Sequence, residues 1–200
     1  MDLVKKIIII SLIFLTAIFI SILMFNFYGN DIQMQKWEEE RQIPDISNRQ
    51  VESWGYKSLN INCTKVYKRK IKIAVIDSGI DKFHPELKDI VTKEYNAINA
   101  NEEIVDDTGH GTGVAGIIGA KNNGVGIRGV VDSSKLEIYS IKAFENNSSN
   151  EEIIKRALRW SIDQNVDVIN FSAGASITNP KLESLIAEAV EKKIIIVAAA

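Results

Sequence analysis

The sequence predicts an α/β fold: a doubly wound parallel sheet with helices on both faces. Three features predict it. Short apolar, β-branched runs recur between residues 71 and 197, each brief enough for a strand and bounded by turn formers. Stretches with helical periodicity and helix-start signals lie between them. Strands and helices of this length, alternating along a chain, call for a parallel sheet covered on both sides.

The first strand is residues 71–76, Ile71-Lys72-Ile73-Ala74-Val75-Ile76, a run that suits burial on both faces. A helix rich in Ala, Val and Ile runs from His110 to about Lys121. A glycine-rich turn then leads to a second strand at residues 136–142. Ser149-x-x-Glu152 reads as a capping box, opening a helix whose inward side carries Ile154, Ala157, Leu158 and Ser161. A third strand, residues 166–171, precedes a helix with Asn179 as its cap and Pro180 at its first position. Leu182, Leu185, Ile186, Ala189 and Val190 form that helix's inward stripe. Residues 194–197 make the last strand, expected to present an apolar edge open to aggregation. The pattern does not give the strand order.

Ahead of this domain, Lys5 and Lys6 precede an uncharged run of 22 residues, 7–28. A helix needs roughly 20 apolar residues to cross the hydrocarbon core. The basic pair before the run and the acids after it place the start inside the cell and the remainder outside. Residues 1–28 are therefore expected to be a signal anchor, a single-pass transmembrane helix in the cell membrane. Secretion after cleavage of a signal peptide is the alternative. Residues 29–49 form a charged juxtamembrane linker, and residues 50–200 the folded domain.

Composition narrows the function classes. Apolar residues at 46% and charged residues at 25% suit a packed protein. A net charge of -2 leaves no basic excess to displace phosphate counterions, so nucleic acid is excluded as a partner. The single cysteine, Cys63, cannot form an internal disulfide, and no histidine lies near it in sequence to activate it. Asn62-Cys63-Thr64 reads as a glycosylation acceptor, a triplet common by chance.

In an open parallel sheet, reactive groups gather just beyond the carboxyl ends of strands. Asp77 stands there, directly after Ile76, and Ser78-Gly79 turn the chain away from it. His110 follows 33 residues later, with a glycine on each side keeping bulky side chains off the imidazole. A hydroxyl is a weak nucleophile until a neutral imidazole takes its proton. A carboxylate on the ring's other nitrogen fixes the tautomer and stabilises the imidazolium. Alone, an Asp after a strand is a turn former and a single His a structural residue. Together, Asp77 suits the orienting carboxylate and His110 the general base. Two decoys fall away. Gly124-Val125-Gly126-Ile127-Arg128-Gly129 matches a dinucleotide fingerprint by letter, but follows a helix and leads into a strand, the reverse of what that motif needs. His84 has no i, i+4 partner for a metal and reads as a capping or surface residue.

The segments Val75-Ile76-Asp77-Ser78-Gly79-Ile80-Asp81 and His110-Gly111-Thr112-x-Val114-Ala115-Gly116, in that order, resemble the signatures of the subtilisin-like serine peptidases (subtilases). Asn122-Asn123-Gly124-x-Gly126-x-x-Gly129-Val130, residues 168–174 and residues 194–200 extend the likeness over about residues 50–200. The resemblance implies a serine endopeptidase with Asp77 and His110 in its relay. It implies a peptide or protein substrate lying extended beside Ser172, Ala173 and Gly174, with residues 146–149 as a second rail. It also implies a structural calcium held by Glu86, the Asn123 side chain and the carbonyls of Lys121, Val125 and Ile127. An ordinary surface Glu and a turn-forming Asn remain the alternative for that set.

Two departures stand out. Gly113 replaces a second histidine that many subtilases carry, read here as local variation. The Gly-Thr-Ser-x-Ala segment that holds the family's nucleophile occurs nowhere, and the likeness stops short of the family's oxyanion asparagine. The chain is therefore expected to be the amino-terminal part of such a peptidase, inactive as it stands. The alternative is a non-catalytic anchored module that binds extended peptides or a partner protein and keeps the relay pair as a relic.

Overall fold

A computed structural model describes residues 48–59, 68–172 and 179–199. In chain order the elements are β1 (Gln50–Val51), α1 (Trp54–Ser58), β2 (Ile71–Asp77), β3 (Val91–Asn96), α2 (His110–Gly119), β4 (Gly126–Ile127), β5 (Leu136–Lys142), α3 (Glu151–Asp163), β6 (Val168–Phe171), α4 (Pro180–Glu191) and β7 (Ile195–Ala198). Five strands pair in parallel in the order β3-β5-β2-β6-β7, and β1 pairs separately with β4.

The central strand β2 is apolar on both sides, and each side has its own core. Ile73 and Val75 pack with Leu87, Ile90, Ala115, Leu136 and Ile138, beneath α2. Ala74 and Ile76 pack with Ile141, Ala157, Leu158, Ile162 and Ala189, beneath α3 and α4. This is the parallel sheet with helices on both faces that the continuous apolar run of β2 predicts. Among the described residues no helix is long and apolar enough to cross a membrane. The run 7–28, Cys63 and the Asn62 triplet lie outside the described residues.

Several details differ from the sequence reading. Edge strand β3 escapes the apolar pattern because Thr92, Lys93 and Glu94 interrupt it; charge on an edge is how sheets avoid pairing with other chains. The cap of α3 is Asn150, whose side chain accepts from the Ile153 amide at 3.0 Å, so the Ser149 capping box does not form. Asn competes well for that position. The inward residues of α3, Ile154, Ala157, Leu158 and Ser161, are buried as expected. Asn179 caps α4 through Lys181, with Pro180 at the start, also as expected. Its stripe is narrower than periodicity suggests, however. Ala189 is buried and Leu182 and Leu185 pack against the core, but Ile186 and Val190 are 40% and 61% exposed. At the sheet edge β7 exposes Ile195 and Val197.

The topology fixes where a site can lie. The segment leaving β2 packs Ile80, Leu87 and Ile90 on the α2 face. The helices following β5 and β6, its two neighbours, pack on the opposite face. The carboxyl end of β2 is thus flanked on both sides by connections that leave the other way, the arrangement that opens a crevice at a switch point.

Candidate active site

Asp77 is the last residue of β2 and only 4% exposed. Its Oδ1 accepts from the Ser78 amide at 2.8 Å and lies 2.7 Å from Nδ1 of His110. His110 is the first residue of α2, and its side chain is 58% exposed. The imidazole therefore turns Nδ1 inward to a buried carboxylate and leaves Nε2 on the open side of the ring. The two residues singled out as a relay are brought into direct contact.

That contact requires two backbones to nearly touch. A Cβ at Gly111 would lie 2.0 Å from the Gly79 carbonyl oxygen and 3.1 Å from the Asp77 Cβ. Gly79 itself has φ of 111°, which side chains rarely adopt. Only glycine at both positions lets the start of α2 settle against the turn after β2.

Polar groups below the pair hold this corner together, and the sequence reading missed most of them. Ser78 is buried and no bystander: its hydroxyl donates to Asp106 Oδ1 at 2.7 Å and accepts from the Gly111 amide at 3.1 Å. Lys142, in register with Asp77 on β5, is buried and donates to the carbonyls of Ser78 and Val105 and to Asp107 Oδ1. Asp107 Oδ2 accepts from the Asn146 amide at 2.9 Å. That bond reaches the segment read as a second rail, where Glu145 and Ser148 pair across a tight turn with Asn146 and Asn147 at φ 50° and 59°.

Of the residues expected to face a substrate, Ser172 directly follows β6 and its hydroxyl accepts from the Asn170 side-chain Nδ2 at 2.7 Å. Ala173 and Gly174 lie outside the described residues. Gly113 has open space where a side chain would project. His84 Nδ1 accepts from the Glu86 amide at 3.3 Å within the turns that follow β2.

The oxygens read as a metal set also converge. The carbonyls of Lys121, Val125 and Ile127 surround Nε2 of Gln50 at 2.6, 3.4 and 3.4 Å. Asn123 donates to Glu86 Oε1 at 3.0 Å, and Glu86 Oε2 is buried without a partner. Gln50 was not foreseen; it arrives because β1 pairs with β4 in the register Gln50↔Gly126. Among the described residues there is no cluster of three His, Cys, Asp or Glu side chains suited to a metal, so a cation here would have one carboxylate, Glu86, beside carbonyls and side-chain amides.

The model of the subtilase family, Peptidase_S8, matches residues 68–200. The chain is 39% identical over 132 residues to the minor extracellular protease Epr of Bacillus subtilis, covering 66% of this chain and 20% of that one. It is 33% identical over 174 residues to the major intracellular serine protease of the same organism, covering 81% and 54%. The crystal structure of the nisin leader peptidase NisP from Lactococcus lactis superposes with a TM-score of 0.58 at 29% identity, covering 76% of this chain and 47% of that one. The chain thus spans about half or less of the length of these relatives.

Asp107 offers a test of the polar scaffold. Its carboxyl is held at about 2, below the ordinary 3.8, first by the Asn146 amide and next by the Lys142 ammonium, against the opposing effect of burial. The folded-state value is the lower one, so the contribution to stability is complete above about pH 4 and disappears as the pH falls towards that value. Urea midpoints of the wild type and Asp107→Asn are expected to differ by a constant amount above about pH 4 and to converge below it. A gap that persists undiminished to low pH would contradict the assignment.

Proposed function

The chain belongs to the subtilase family, and from that membership we propose that Asp77 and His110 are the carboxylate and general base of a serine endopeptidase relay. The observation that carries the reading is the 2.7 Å contact between a buried carboxylate and Nδ1 of an imidazole whose other nitrogen is open. In that role Nε2 takes the proton of an attacking hydroxyl as it adds to a peptide carbonyl. Asp77 holds the tautomer and stabilises the imidazolium, and Nε2 then returns the proton to the leaving amine. An extended peptide or protein segment is the substrate, added as a strand beside residues 172–174 and faced by the turn at 145–148.

The 200 residues contain no serine in a Gly-Thr-Ser-x-Ala setting, so hydrolysis needs an alcohol and an oxyanion donor from outside them. By themselves these residues are expected not to cleave peptides. The same observation favours a second reading, a non-catalytic module that binds extended peptides. A fluorophosphonate probe separates the two. Labelling of the native gene product, abolished by His110→Ala, is expected. A folded native product that binds peptides but never labels would sink the relay reading in favour of the module.

Calcium is proposed as a structural ligand, held by Glu86, Asn123, Gln50 and the carbonyls of Lys121, Val125 and Ile127. The support is the convergence of three carbonyl oxygens on the Gln50 side-chain amide, whose Oε1 would complete an oxygen set once the amide turns over, together with the unpartnered buried oxygen of Glu86; hard cations favour oxygen ligands. A bound cation would tie β1 to the loop after α2. Saturating calcium, at about 100 times its dissociation constant, is expected to stabilise the fold by about 2.7 kcal/mol and to lose that effect in Glu86→Gln. Identical melting curves in calcium and in chelator would refute it.

Residues 1–28 are proposed as a membrane anchor with the domain outside, supported by the length of the uncharged run and the flanking charges. Protease added to intact cells should then degrade the domain, while the protein sediments with membranes. Recovery of the domain in the medium, or full protection inside the cell, would overturn this placement.

A further inference from the structure

We propose that Asp106 is a positioning residue for the relay: its carboxylate ties the turn carrying Asp77 to the helix end carrying His110. The proposal rests on the relay reading and adds what keeps the two partners in register.

The four bonds that Asp106 accepts come from both sides of the contact. Oδ1 takes the Ser78 hydroxyl at 2.7 Å and the Gly109 amide at 2.9 Å. Oδ2 takes the Thr112 amide at 2.9 Å and the Thr112 hydroxyl at 2.5 Å. Ser78 immediately follows Asp77, and its oxygen also accepts from the Gly111 amide and lies 3.2 Å from Asp77 Oδ1. The Thr112 hydroxyl accepts from the Asp81 amide at 2.9 Å, a second link from the helix back to the segment after β2. One carboxylate thus gathers the residue after Asp77 and the residues flanking His110.

Helix α2 needs this partner for its own sake. Its N-cap is Gly109, which has no side chain to satisfy the first amides. Asp106 reaches over from three residues earlier and takes two amide donors. It also places a negative charge at the positive end of the helix dipole. Burial pushes the Asp106 carboxyl up, but the bonds from Thr112, Ser78 and Gly109 outweigh that and hold it below its ordinary value. It is therefore ionised at neutral pH, and its bonds are of the stronger, charge-assisted kind.

The consequence for the relay is geometric. The imidazole keeps one tautomer only while Nδ1–H has one well-placed acceptor. If the turn after β2 drifts from the start of α2, Asp77 no longer dictates which nitrogen carries the proton. The other charged groups at this corner are Asp77 from β2, Asp81 in the turn after it, Asp107 in the same loop as Asp106, and Lys142 from β5.

Nuclear magnetic resonance of the ring nitrogens reads this directly and needs no turnover. The chain has two histidines, so the spectrum holds two imidazole patterns, and His84→Asn identifies the one belonging to His110. At about pH 8.5, well above the ordinary histidine range, the wild type should show His110 protonated on Nδ1 alone. Asp106→Ala and Ser78→Ala should each replace that single form by a mixture of tautomers. Ser78→Ala keeps the bonds from Asp106 to the Gly109 and Thr112 amides but removes the acceptor of the Gly111 amide. Unchanged helix content by circular dichroism is therefore required before its effect is assigned to lost register rather than to fraying; with that control this variant is informative by itself. It also decides the matter if Asp106→Ala fails to fold. Folded variants that keep the single Nδ1–H form would overturn the positioning role and leave the relay reading untouched. An unchanged His110 pattern in Asp77→Asn would instead defeat the relay reading itself.

Discussion

The approach of the first turn of α2 to the turn after β2 is the contact on which the rest of this site depends. It brings a Gly111 backbone against the Gly79 carbonyl so closely that no side chain fits between. Every functional distance follows from it. Asp77 is held by the strand, His110 by the helix, and the two meet because glycine lets their backbones come within reach. Such closeness is costly to maintain at a strand end, where ladder hydrogen bonds have run out. The structure supplies substitutes in the form of charge-assisted hydrogen bonds.

Those substitutes divide between two neighbouring carboxylates. Asp106 faces the helix and the Asp77 turn. Asp107 faces Lys142 and the turn at 145–148. Lys142 is the only buried lysine among the described residues, and it spends its donors on two carbonyls and one carboxylate. A buried ammonium without such partners would be strongly unfavourable. The Asp77–His110 corner and the turn at 145–148 are therefore joined through a single short loop, residues 105–109, so a displacement of one is felt by the other.

How much of this could be read from the chain depends on the range of the interaction. The contact of Asp77 with His110 was legible because each sits in a distinctive local context, a strand end and a glycine-flanked helix start. Strands β2 and β5 were legible because burial on both faces leaves short runs dominated by apolar and β-branched residues, broken only by Lys72 in β2 and by Glu137 and Ser140 in β5. Gln50, Ser78 and Lys142 were not, since their partners lie 71–77, 28–33 and 35–64 residues away and nothing nearby announces them. Strand β3 was hidden because an edge strand has only one buried flank and carries charge on purpose. Ile186 and Val190 were misjudged for a related reason: periodicity gives the face of a helix, while the width of the sheet beneath decides how much of that face is covered.

The claim at the centre is that Asp77 makes His110 a competent base. The most direct measurement is peptide hydrolysis by the native gene product carrying Asp77→Asn, a change that keeps the shape and removes the charge. A loss of about 10⁴-fold in kcat, with KM little altered, is the result expected of a carboxylate that fixes the imidazole's tautomer. Hydrolysis at nearly the wild-type rate would contradict it, because His110 would then be finding its orientation without the group against which it is built.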